Sequence, residues 1–214
     1  MANSRRFQKL RTELTRLRKH FLPKTWNPTG SYSQRGIDYS RAYRILAHAE
    51  IEAFIENILL DVVEKKYSEW VKQKKATFVI TCLLAASKFG WQDSEIDISP
   101  ISPLKIRRDD ESINQLIERI VEQYRQIVKD NNGIMDKDLK RLLMPAGISL
   151  SDLDQTWLND MNSFGGQRGF FAHSSRLGIT NLPDPKTEFD NIQKLLPGLD
   201  LLDKKVLEIG KSKQ

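Results

Sequence analysis

Two residues in the last third of the chain combine fixed charge with proton transfer: Arg168 and His173, five positions apart in the run Gln167-Arg168-Gly169-Phe170-Phe171-Ala172-His173-Ser174-Ser175. A guanidinium is a permanent, fork-shaped cation that matches phosphate oxygens, and an imidazole gives and takes a proton near neutral pH. Together they suit the chemistry of a phosphodiester. Gly165-Gly166 precedes the pair and Ser174-Ser175 follows it, so small residues on both flanks let a ligand or another backbone come close.

Spacing alone does not single out this pair, because Arg41 and His48 meet the same loose pattern with six residues between them. They fall in the strongly helical run Tyr39 to Glu52, where His48 reads as paired with Glu52 one turn on. His48 and Glu52 are also half of a metal site by spacing, but no second His, Cys, Asp or Glu cluster is spaced to complete it. Neither a metal nor a cofactor is expected.

The elements that must position these groups are helices. Phe7, Leu10, Leu14, Leu17 and Phe21 recur at three- and four-residue steps and predict a helix over Asn3 to His20. Its other faces carry Arg5, Arg6, Lys9, Arg11, Arg16, Arg18 and Lys19 against the single acid Glu13, which reads either as a solvated face or as a track for an RNA backbone. Arg5, Arg6, Lys9, Arg16 and Lys19 are the candidate RNA contacts. Leu22 to Gly36, with Pro23, Pro28 and Gly30, is a loop.

A long helix is then predicted from about Asp38 to Lys66, with Tyr39, Tyr43, Leu46, Ala53, Phe54, Ile58 and Val62 as its buried stripe and Glu52, Glu56 and Lys66 outside it. A second follows over Ser68 to Phe89, then an irregular stretch over Asp93 to Arg108. The apolar face from Ile113 to Val128 predicts a helix over Glu111 to Asp130, and Asp136 to Met144 forms a shorter one. Ser151 is read as the cap of a helix that carries Leu153, Trp157, Leu158 and Met161 and delivers the chain to Gly165-Gly166. The last helix, from Phe189 to Ile209, contains Pro197, which should kink or split it.

No stretch alternates long enough to build a sheet. The expectation is an all-α, single-domain bundle of six to seven helices, with a basic helix and loop over 1–36, the bundle domain over 37–210 and a frayed tail over 211–214.

The run Leu153 to Met161, followed by Arg168 and Ala172-His173-Ser174-Ser175, resembles the HEPN superfamily and within it the RiboL-PSP-HEPN branch. The early helix over Tyr43 to Glu56, with His48-Ala49-Glu50-Ile51-Glu52, is similar to that of related HEPN nucleases, so the likeness spans roughly 37 to 210. The resemblance implies a metal-independent endoribonuclease, all-helical and homodimeric, with its active site at the dimer interface and with Arg168 and His173 as the catalytic pair. By the same likeness Glu52, His48 and Ser174 are supporting residues. It also implies a role in defence or as a toxin, held by an antitoxin or another regulatory protein. The family often has a polar residue directly after the arginine, where this chain has Gly169.

Composition agrees with this class. The 214 residues suffice for one domain with a substantial core, and 39% hydrophobic with 29% charged residues is globular. A net charge of +6 favours a polyanionic partner such as RNA. Cys82 is the one cysteine, which excludes an internal disulfide and fits a reducing compartment; it reads as a small buried hydrophobe. The apolar run Phe78 to Ala86 is too short to span a bilayer, and the N-terminus leads into no apolar signal core. A cytoplasmic protein without a membrane partner is expected.

If Arg168 to His173 is continuous helix, five steps put the two positions about 140° apart around the axis. One copy is then a poor clamp, whereas two copies around a twofold axis bring an arginine and a histidine from each to one cleft. Two alternatives stay open: a HEPN relative without activity that binds RNA, a nucleotide or a protein, favoured by Gly169 and Phe170-Phe171, and a pair that merely satisfies backbone at a helix end.

Overall fold

The computed structural model describes residues 2–89, 113–173 and 184–212, with backbone alone for 88–89 and 167–173. Regular structure among these residues is helical: α1 (Arg5–Phe21), α2 (Gln34–Gln73), α3 (Phe78–Phe89), α4 (Ile113–Lys129), α5 (Asp136–Leu143), a short 3-10 turn (Leu150–Asp152), α6 (Gln155–His173) and α7 (Pro185–Lys211). The irregular stretch expected over Asp93 to Arg108 lies outside the described residues.

α2 is the spine, packed against α1, α3, α4, α5, α6 and α7. Being surrounded, it buries more than one stripe: Tyr43, Ala47, Ile51, Phe54, Ile55, Ile58, Leu59, Val62 and Val63 are all inside. This corrects the sequence reading in two ways. Tyr39 and Leu46 are exposed, and Glu52 and Lys66, expected outside, are buried. The Lys66 amine survives burial because it donates to the Ser212 carbonyl and pairs with Glu69, while Lys65 donates to the Gly210 carbonyl. Two ammonium groups thus satisfy the C-terminal carbonyls of α7, where the helix dipole favours positive charge.

The boundary expected near residue 67 is absent. Trp70 continues the buried face of Val63 and Lys66, so α2 runs on until Lys74 adopts a left-handed φ of 55° and donates its N–H to the Trp70 carbonyl. Ser4, Ser33 and Asp184 cap α1, α2 and α7 through side-chain oxygens, with Pro185 at the first turn of α7. Pro197 does not split α7, which is one helix over 27 residues.

Contacts fix the helix directions. Arg6 reaches Asp61 and Phe21 meets Tyr39, so α1 runs antiparallel to α2. Glu188 meets Arg44 while the Gly210 carbonyl meets Lys65, so α7 runs parallel to α2. Trp157 donates its indole N–H to the Leu195 carbonyl at 3.0 Å, and Arg44, bonded to Glu188 near the start of α7, also bonds the Phe164 carbonyl, so α6 runs antiparallel to α7 and to α2. The ends of α1 and α6 and the starts of α2 and α7 therefore share one end of the bundle. Arg168 and His173 stand there.

Candidate functional site

α6 starts where the Asp154 carboxylate accepts from the Trp157 N–H at 2.7 Å; this residue caps the helix, whereas the expected cap, Ser151, lies in the preceding 3-10 turn. Trp157, Leu158, Met161 and Phe164 then form its buried stripe. The two glycines, read from sequence as the end of this helix, are inside it. A Cβ on Gly165 would stand 3.0 Å from Met135 Cγ and 3.2 Å from Ile134 Cγ1, so this glycine serves the close approach of α6 to the segment before α5 rather than a turn.

Because α6 is continuous to His173, the helical condition on the Arg168 and His173 geometry is met. At about 100° per residue, position 168 is one turn beyond Phe164 on the core-facing stripe, and position 173 is about 140° round from it on the side of Asn159 and Gly166. The pair is thus split between two faces of one helix. Ser174 lies outside the described residues.

Facing Phe164 is a second stripe, on α2, of Arg44, His48 and Glu52 at four-residue steps. All three are buried: Arg44 is 2%, His48 1% and Glu52 9% exposed. Arg44 donates from Nη1 to a Glu188 carboxylate oxygen and from Nη2 to the Phe164 carbonyl at 3.0 Å, with its guanidinium 4.5 Å from the centre of the Phe164 ring. The His48 ring stacks on the same phenylalanine with centroids 6.0 Å apart, and its Nδ1 lies 3.6 Å from Glu52 Oε2. Burial pushes the Glu188 carboxyl up, and the neighbouring Arg44 charge and hydrogen bond only partly offset this. His48 and Glu52 are therefore groups behind α6, inside the bundle, and not open to solvent.

Arg44, Phe164 and Glu188 carry the interior of this end, and sequence reading did not name Arg44 or Glu188 for it. A signal for Arg44 existed, since Arg44, His48 and Glu52 repeat at the spacing of one helix face. For Glu188 none existed, because its partner is 144 residues away.

The basic residues of α1 divide. Arg5, Lys9 and Lys19 are exposed. Arg6 is bound by both oxygens of Asp61, and Arg16 pairs with Glu13 at 2.7 Å. Among the described residues no group of three or more His, Cys, Asp or Glu could hold a metal ion, and no helix is long and apolar enough to cross a membrane. Cys82 is half-buried, and burial raises its thiol pKa.

A family profile described as RiboL-PSP-HEPN matches residues 6–208. This chain belongs to the RiboL-PSP-HEPN family. Comparison with curated proteins and with solved structures gives no match. The RiboL-PSP-HEPN match takes in α1 as well as the helices from α2 onward, a wider span than the likeness read from sequence. It agrees with the packing of α1 into the core through Phe7, Leu10, Leu14 and Leu17.

Proposed function

We propose that this RiboL-PSP-HEPN protein is a metal-independent endoribonuclease acting as a homodimer, with Arg168 and His173 at a cleft shared by two copies. What carries the reading is the placement of an arginine and a histidine in one unbroken helix of a HEPN-family bundle, on faces about 140° apart. A single copy is a poor clamp for one phosphate. A twofold partner supplies the missing half.

RNA brings its own nucleophile, the 2′-hydroxyl, so the protein has only to move protons and hold charge. His173 takes the 2′-hydroxyl proton as the 2′-oxygen attacks phosphorus; the bond to the 5′-oxygen breaks, and that oxygen takes a proton from water as it leaves. Arg168 holds the phosphate and stabilises the added charge of the pentavalent transition state. The products are a 2′,3′-cyclic phosphate and a 5′-hydroxyl. The cytoplasm, with a defence or toxin role under an inhibitory partner, is the setting that fits this activity.

The test is incubation of purified wild type, Arg168→Ala and His173→Ala with mixed RNA in EDTA, followed by end-group analysis. Cleavage with cyclic-phosphate ends by wild type, and none by either variant at unchanged helicity, is expected. Full cleavage by His173→Ala removes the imidazole from the mechanism. One observation favours a second reading, a binding module without activity: position 168 continues the stripe that carries Trp157, Met161 and Phe164 into the core. RNA binding without scission by the wild type selects it.

A further inference from the structure

The outer side of α1 is organised in a way that helix formation alone does not require. Arg5, Lys9, Thr12, Arg16 and Lys19 recur at steps of four, three, four and three, so they form one straight ridge about 21 Å long. This ridge is opposite Phe7, Leu10, Leu14 and Leu17, the residues that seat α1 on the bundle. Its members are exposed, and its one ion pair, Arg16 with Glu13, is a surface contact that a phosphate can replace at little cost. Arg6, by contrast, leaves the ridge for Asp61.

Just past the C-terminal end of the ridge, where Phe21 turns from α1 toward α2, lies an aromatic row. The His20 ring stands edge-on to Phe21 with centroids 4.7 Å apart, Phe21 stands edge-on to Tyr39 at 6.0 Å, and the Arg35 guanidinium lies 5.1 Å from the centre of the Tyr39 ring. Tyr39 is 38% exposed, and its hydroxyl accepts from the Arg35 guanidinium. The same end leads inward to the candidate site: Arg18 lies against Phe189, its neighbour Glu188 holds Arg44, and Arg44 holds Phe164 one turn before Arg168.

We infer that the α1 ridge is the docking track for single-stranded RNA, with backbone phosphates along Arg5, Lys9, Arg16 and Lys19 and a base against Tyr39, and that it leads the strand to the end of α6. The inference rests on the ribonuclease reading for its ligand and adds the surface that reading lacks. A row of cations follows a phosphate backbone, and a half-exposed ring flanked by arginine stacks an unpaired base, which a duplex does not offer.

The probe is a 5′-labelled 2′-O-methyl oligouridine of twenty residues, which lacks the 2′-nucleophile, titrated with the full chain by fluorescence anisotropy at several salt concentrations. Charge reversal of Arg5, Lys9, Arg16 and Lys19 to Glu should raise Kd by at least about a hundredfold and lower the salt slope by about 3, at roughly 0.7 per lost phosphate contact. Tyr39→Ala should raise Kd by about tenfold without changing that slope. Arg6→Ala should change Kd by less than about twofold. The control reverses Lys72, Lys129, Lys137 and Lys140, equally exposed but off α1, with melting curves verifying that both quadruple variants fold.

Equal loss in ridge and control variants overturns the proposal, since the attraction is then diffuse charge. So does unchanged binding by the ridge variant, or ridge-dependent binding to phosphatidylserine vesicles that the oligonucleotide does not displace. Ridge-dependent binding by a protein that cleaves no natural RNA sinks the nuclease reading and leaves the track standing. Cleavage with normal affinity in the ridge variant does the reverse.

Discussion

The Arg44 guanidinium is paired with the Glu188 carboxylate inside the bundle, and both side chains are almost wholly removed from water. Two buried charges cost several kcal/mol each to desolvate, and this pair is tolerable because Arg44 also satisfies the Phe164 carbonyl. The bond set joins α2, α6 and α7 one turn before Arg168. Arg44→Ala leaves a buried acid facing a vacated site and should lower unfolding free energy by roughly 3 to 5 kcal/mol. Urea denaturation of Arg44→Ala and of the double variant Arg44→Met/Glu188→Leu measures this, and the double variant should be the more stable of the two.

A composite cleft makes a prediction that a self-contained one does not. Arg168→Ala and His173→Ala, each inactive alone, should regain ribonuclease activity when unfolded together and refolded as a mixture. Random pairing makes half the dimers mixed, each keeping one intact combination, so on the order of a quarter of wild-type activity is expected. Activity that stays at zero in a verified mixed dimer argues for a site complete within one copy.

Gly198 separates packing from helix propensity. A Cβ there would fall within the Trp157 indole, whose N–H is fixed on the Leu195 carbonyl, so the ring has no free direction of retreat. Gly198→Ala should cost about 1 to 3 kcal/mol by overpacking, more than the gain of about 0.5 to 1 kcal/mol from replacing a helical glycine. Gly165→Ala meets the flexible Met135 side chain first and should be nearly neutral. Thermal melts of the two variants, with tryptophan emission reporting the indole, distinguish them.

Glu56 gives a pH dependence with a defined sign. Burial raises its pKa from 4.5, only partly countered by the hydrogen bond that Asn131 donates to it. The folded chain then binds more protons than the unfolded chain just above pH 4.5, and this contribution to stability falls as pH rises through the folded pKa. Glu56→Gln keeps an oxygen acceptor for Asn131 and removes the titration. Its melting temperature should depend less on pH between about pH 4 and pH 7 than that of wild type.

The sequence by itself determined that the chain is an all-α bundle and where several of its helices lie. Apolar residues at three- and four-residue steps are a local signal, and they placed α1 and α5 to within two residues and the end of α4 to within one. Where a choice depended on a distant neighbour, only tertiary structure decided it. Trp70 carried α2 past its expected end because it continues a face other helices cover; Gly165 lies inside α6, packed against Ile134 and Met135, rather than ending it; and Lys66 went inside because the Ser212 carbonyl was there to receive it. Periodicity records which way a side chain points along its own helix, but burial and pairing are properties of what lies opposite. For Arg44 that was Glu188, on a helix more than half the chain away.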